Sequence, residues 1–148
     1  MSARKINQAG LDLIKYYEGL KLETYKDVVG VATIGYGHTG HDVFDNQKIT
    51  TLQAEMLLKH DLEEFEKIVD AFVKPQINDN QFSALVSFVY NLGSTAFAGS
   101  TLLKVINKSW FDKAPAEFLK WVNAGGKPYS GLLARRRAEA DLFMKKVT

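Results

Sequence analysis

Apolar and polar positions follow two different periods along the chain, and the change of period divides it. From Asn7 to Tyr17, the residues Ala9, Leu11, Leu13, Ile14 and Tyr17 fall near helical spacing, with Asn7 placed to cap the first turn. This predicts a first helix that ends close to Glu18-Gly19. From Leu22 to Thr39, β-branched and aromatic residues (Thr24, Tyr25, Val28, Val29, Val31, Thr33, Ile34, Tyr36) are interleaved with Gly30, Gly35, Gly37 and Gly40. That pattern predicts short strands joined by tight turns.

Helical spacing returns at Thr51. Thr50 with Gln53 makes a capping box, and Leu52, Met56, Leu58, Leu62, Phe65 and Val69 continue the period to about Phe72, before Pro75 stops it. Asn78 with Gln81 repeats the capping pattern ahead of Phe82, Leu85, Val86, Val89 and Leu92, a strongly apolar helix that Gly93 ends. Helices are further predicted at Ser100 to Asn107, Lys113 to Val122 and Gly131 to about Lys146, with a loop over 123–130. The implied class is α+β, a small β-rich lobe over about 19–50 beside a larger helical lobe over about 51–148 that includes the first helix. At 148 residues the chain is read as one domain, 1–148.

Composition narrows the function. With 19 basic and 17 acidic side chains the net charge is only +2, too small a field to drive nucleic-acid binding. Six Lys or Arg against two acids between Lys127 and Lys146 make the C-terminal end basic, and Leu132, Leu133, Phe143 and Met144 give it a modest amphipathic character. Contact of that helix with an anionic membrane is one reading, and docking of its apolar face on the domain is the other. Cysteine is absent, so disulfides and thiolate metal sites are excluded. The first 19 residues carry no apolar stretch of signal-peptide length, and no later segment approaches the ~20 apolar residues that span a bilayer. A cytoplasmic origin without export by its own signal is the expectation, as is a monomer.

Several residues are candidates for chemistry. Glycosidic hydrolysis needs a protonated carboxyl at the leaving oxygen and a second carboxylate that activates water or attacks the sugar. Glu18, where an apolar helix runs into Gly19-Leu20, suits the first role if its carboxyl is partly desolvated. Asp27, beside a turn in the β-rich segment, suits the second, and Thr33 is placed to reach from a partner strand and hold a water. Surface charge remains the alternative for both acids. His38, His41 and Asp42 offer a His-x2-His spacing without a third strong ligand, so no metal or other cofactor is expected and His38 is read as a hydrogen-bonding support of the hairpin.

The string Glu18, eight residues, Asp27, five residues, Thr33-Ile-Gly-Tyr-Gly-His-Thr39 resembles the signature of the phage-type lysozymes, glycoside hydrolase family 24. Tyr90-Asn91-Leu92-Gly93, Ser100-Thr101-Leu102-Leu103, Trp121 to Gly126 and Gly131 to Glu139 resemble further blocks in the same order. The resemblance implies hydrolysis of the β-1,4 link between N-acetylmuramic acid and N-acetylglucosamine in bacterial peptidoglycan, in a cleft between the lobes. Carried over residue by residue, Glu18 is the general acid, Asp27 the second carboxylate and Thr33 the water-orienting hydroxyl. The resemblance also implies inversion at the anomeric carbon, release to the cell wall through a separate membrane hole, and lysis of the host. Thr39, Tyr90, Asn91 and Thr101 resemble sugar-contacting positions, although Tyr90 also suits plain core packing. One of Arg135 and Arg136 is expected to be internal, supporting Glu18 or pairing with Glu139, and Arg137 to be exposed. The competing class is a wall-binding module without turnover, against which the presence of Glu18, Asp27 and Thr33 argues.

Overall fold

A computed structural model describes residues 4–147. Helix α1 spans Gln8–Glu18 and is followed by strands β1, Lys21–Lys26, and β2, Ala32–Gly35. Helices α2, Thr51–Phe72, α3, Asp79–Leu92, α4, Ser94–Ala98, and α5, Thr101–Asn107, come next. A 3-10 turn at Phe111–Lys113 leads into α6, Ala114–Phe118. A small hairpin of β3, Asn123–Ala124, and β4, Lys127–Pro128, precedes α7, Ser130–Met144. The chain divides into two compact units, Lys15–Glu63 and the remainder, and the division falls within α1 and within α2.

The helix starts are fixed by local bonds. The Asn7 side chain accepts from Gly10 N–H at 3.0 Å, while Thr50 and Gln53 exchange bonds of 3.1 and 2.9 Å. Asn78 and Gln81 do the same at 2.8 and 2.9 Å, and Ser100 Oγ accepts from Leu103 N–H. Each satisfies donors that a helix leaves open at its first turn, worth about 1 kcal/mol apiece.

In the Lys15–Glu63 unit, β1 and β2 pair antiparallel with Tyr25 opposite Thr33 and Lys26 opposite Ala32, and the ladder is irregular between Lys21 and Tyr25. The second edge of β1 is taken up by the following loop, where Thr24 N–H bonds Gln47 O and Ile49 N–H bonds Leu22 O. Ile34, Ala54, Leu58 and Leu62 are fully buried in this part of the chain.

In the larger unit, α3 is buried from Phe82 to Val89 without a break, as expected of a helix that is apolar on all sides. Its principal neighbour is α7. Phe88 is the centre of an aromatic cluster, with ring centroids of Phe118, Trp121 and Phe97 at 5.5, 5.7 and 6.2 Å. Phe143 extends it through Phe118 at 5.7 Å. Leu142 and Phe143 of the basic C-terminal helix are thereby consumed in packing, while Met144 is exposed.

The structure departs from the sequence reading in three places. The helix expected over Lys113 to Val122 is a 3-10 turn plus the short α6, because a tight turn (Trp121 N–H to Phe118 O, 3.1 Å) swings Trp121 edge-on to Phe88. The loop expected over 123–130 contains the β3–β4 hairpin. Both Arg135 and Arg136 are buried, rather than one of them, because the buried Glu139 carboxylate pairs with both, one through each oxygen.

Candidate active site

Glu18 is the last residue of α1, and the helix is closed by Gly19 N–H bonding Lys15 O at 3.0 Å. Gly19 then adopts φ +74°, a left-handed conformation that glycine takes without strain and that turns the chain into β1. Glu18 is half-buried at this corner.

Asp27 sits at the turn of the β1–β2 hairpin, and the turn is built on it. Its backbone N–H donates to Val31 O and its carbonyl accepts from Gly30 N–H, both at 3.0 Å. Its side-chain Oδ1 accepts from the N–H groups of Val29 at 2.9 Å and Val31 at 2.8 Å. One carboxylate oxygen is thus fixed by the turn, and Oδ2 takes no part in those two bonds. Val28 and Val29 project into solvent beside it.

Thr33 is buried on β2, and its hydroxyl donates to Val31 O at 2.9 Å. With the proton committed there, Oγ1 is left as an acceptor. Tyr25 is the cross-strand partner of Thr33, so Tyr25, Asp27 and Thr33 fall on one face of the hairpin. Burial pushes the Tyr25 phenol above its ordinary pKa, and the charges of Glu18 and Asp27 push it further. Both acids therefore lie within electrostatic reach of one phenol.

His38 lies between two carboxylates. Its Nδ1 is 2.7 Å from Asp61 Oδ2 on α2, and its Nε2 is 2.9 and 3.0 Å from the two oxygens of Asp42. Burial opposes charge on the ring, but Asp61 and Asp42 together outweigh it and raise the His38 pKa. Asp42, well exposed, is held below the usual carboxylate range by its hydrogen bond to His38. The half-buried Asp61 is pushed upward by burial. A cavity of about 410 Å³ adjoins the His38–Asp42 pair, with Gln47, Ile49, Gln53, Met56 and Leu57 on its walls. Thr39 is exposed. Among the described residues no group of three or more His, Cys, Asp or Glu side chains is arranged to hold a metal ion.

The other sequence candidates lie in the larger unit. Tyr90 is half-buried with its ring edge-on to Phe65, centroids 5.4 Å apart. Asn91 accepts a short hydrogen bond from Arg136 Nη2, and Thr101 is exposed at the first position of α5. Arg136 is fully buried, its Nε 3.0 Å from Glu139 Oε1 and its guanidinium 5.3 Å from the Phe88 ring. Arg135 Nε donates to Glu139 Oε2 and its Nη2 to Ser87 O, both at 3.3 Å. Ser87 Oγ donates to the same Glu139 oxygen at 2.6 Å, and Arg137 is exposed.

Sequence reasoning singled out Glu18, Asp27 and Thr33, and the structure places all three in the Lys15–Glu63 unit. It missed Tyr25 as a member of this group and Asp61 as the partner of His38. The spacing of two between Tyr25 and Asp27, at the end of β1 and the start of the turn, was the available signal for the first. Nothing in the helical pattern around Asp61 distinguished it from the surface acids of α2.

Comparison with known proteins gives a consistent assignment. Residues 15–139 match the family model described as Phage lysozyme. The chain is 49% identical to the endolysin of Bacillus phage B103 over 94% of its own length and 54% of the relative's, so it spans about half of that protein. It is 43% identical to the endolysin of Acyrthosiphon pisum secondary endosymbiont phage 1, covering 93% of this chain and 97% of the other. Among solved structures, the endolysin from Escherichia coli O157:H7 phage FAHEc1 superposes with a TM-score of 0.90 at 38% identity, over 99% of this chain and 97% of that one.

Proposed function

The chain belongs to the phage lysozyme family, and from that premise we propose that it is a muramidase that hydrolyses the β-1,4 bond between N-acetylmuramic acid and N-acetylglucosamine in bacterial peptidoglycan. The observation that carries this reading is the placing within one unit of Glu18, at the end of α1, Asp27, held in the hairpin turn, and Thr33, buried on β2.

In this mechanism Glu18 gives its proton to the leaving oxygen as the bond from the anomeric carbon to that oxygen breaks. A water molecule forms the new bond to the anomeric carbon and loses a proton to Asp27 Oδ2. Thr33 suits the third role because its own proton is given to Val31 O, so that Oγ1 accepts the water's second hydrogen. The water and the departing sugar are on opposite faces of the anomeric carbon, which makes the outcome inverting. The same reading gives Thr39, Tyr90, Asn91 and Thr101 contacts to the glycan.

Among the described residues no helix is long and apolar enough to cross a membrane. We place synthesis in the cytoplasm of an infected bacterium and passage to the wall through a separately encoded membrane hole. Mass spectrometry of digested peptidoglycan tests the reaction class. Reducing muramic ends are expected, whereas anhydro ends would mean internal attack within the sugar and would overturn hydrolysis.

A further inference from the structure

We propose that Lys108, Trp110 and Lys113 form a docking surface for an anionic, phosphate-bearing polymer of the bacterial wall, distinct from the residues that hydrolyse the glycan. The choice of a wall polymer as partner rests on the reading of the chain as a peptidoglycan hydrolase.

The backbone sets the ring outward. Lys108 caps the C-terminal end of α5, and Ser109 follows at φ +61°, a left-handed turn. Within it Ser109 N–H bonds Ile106 O at 2.8 Å and Trp110 N–H bonds Val105 O at 2.9 Å. An apolar residue in the place of Trp110 commonly packs back on the helix it follows, yet the indole is 45% exposed. Lys113 N–H bonds Trp110 O at 3.1 Å, which ties the 3-10 turn to the same residue. Phe111 is anchored beside Phe143, ring centroids 6.2 Å apart. A hydrogen-bonded frame thus holds the ring at the surface.

Charge points to the partner. Lys108 Nζ lies 4.6 Å and Lys113 Nζ 4.9 Å from the centroid of that ring. Two ammonium groups from different elements converge on one indole, although like charges repel. Among the described residues neither forms a salt bridge, and Asp112, exposed on the same turn, pairs with neither. Elsewhere in the same unit, Lys120 pairs with Glu117 at 2.7 Å and Arg4 with Asp79 at 3.0 Å. Two cations gathered without a carboxylate are complementary to a ligand that carries several negative charges. Phosphates repeated along a flexible chain meet both ammoniums at once, while the sugar or polyol between them lies against the indole. An anionic bilayer suits the surface less, because sinking the indole among acyl chains would draw both ammoniums out of water.

Binding of a soluble poly(glycerol phosphate) chain to the whole protein is measured by isothermal titration calorimetry over a range of salt, with circular dichroism melts to verify folding. Lys108→Gln/Lys113→Gln should weaken binding at least about tenfold and reduce the slope of log affinity against log salt by roughly one to two. Trp110→Leu should weaken it about threefold or more. An equal loss in Lys67→Gln/Lys127→Gln, which removes two exposed lysines elsewhere, would mean diffuse charge only and overturns the proposal. So does wild-type affinity in either site variant, the absence of polymer binding by the wild type, or a loss seen only with phosphatidylglycerol vesicles, which would make the partner a membrane. Hydrolysis of short, phosphate-free glycan fragments by the wild type is assayed beside it. If that fails while polymer binding behaves as expected, the catalytic reading falls and the docking surface stands.

Discussion

His38 Nδ1 lies 2.7 Å from Asp61 Oδ2, joining the segment after β2 to the middle of α2 within one unit. Each ring nitrogen faces a carboxylate, which suits the doubly protonated imidazolium. The raised pKa of His38 fixes the sign of the pH dependence. A base whose pKa is higher in the folded protein adds stability that is complete below its unfolded value, near 6.5, and is lost as pH climbs through the folded value. Asp61→Asn should therefore cost about 2 kcal/mol at pH 5.5 and less above pH 8. Urea unfolding at the two pH values measures the difference, and an equal cost at both contradicts the charged pairing.

Gly10 is buried in α1, where a Cβ would lie 2.6 Å from Ser83 Cβ and 2.7 Å from Ile6 Cγ1. Ser83 Oγ also accepts the Asn7 N–H at 2.9 Å, so it cannot retreat without breaking that bond. Alanine is favoured over glycine in helices by about 1 kcal/mol, but overpacking of a tight contact costs about 1–3 kcal/mol. Gly10→Ala should be net destabilising, with a lower urea midpoint and an unchanged slope.

The Arg135–Glu139–Arg136 cluster, with Glu139 fully buried, should respond sharply to loss of its centre. Glu139→Gln removes the carboxylate that the two buried guanidinium groups share. A loss of about 3–5 kcal/mol follows, read as a drop in thermal midpoint. Because these residues pack α7 against α3, the effect should appear in stability before it appears in kcat of the protein that remains folded.

Thr33→Val removes the Oγ1 acceptor while nearly preserving volume. It should lower kcat by about tenfold or more with little change in KM, whereas Thr33→Ser should retain most of the rate. Equal rates in both variants would reduce Thr33 to a structural residue.

Inversion is tested by proton magnetic resonance of the first-formed product. The α anomer is expected from the β-linked glycan, and early appearance of the β anomer would make Asp27 a nucleophile rather than a base.

What could be read from the sequence was mostly local. The caps at Asn7, Thr50 with Gln53, and Asn78 with Gln81 are bonds between residues three apart, so their side chains announce them before any tertiary structure exists. The dense apolar pattern of α3, broken only by the small Ser83 and Ser87 between Phe82 and Val89, announced its burial in the same way. The five-residue α4 and the two-residue strands β3 and β4 are too short to carry a period, and were not legible. The burial of both Arg135 and Arg136 depends on Glu139, Ser87 and Asn91 arriving from two helices, and no spacing along the chain records that. At the site, Glu18, Asp27 and Thr33 were visible as a motif. The turn that fixes Asp27 through Val29 and Val31, and the register of Tyr25 against Thr33, appeared only with the fold.

The central claim is that the Glu18 carboxyl delivers a proton to the glycan. Clearing of a turbid peptidoglycan suspension by wild type and by Glu18→Gln, both verified as folded, measures it most directly. The amide should slow clearing by more than about a hundredfold. Clearing at the wild-type rate by Glu18→Gln would contradict it.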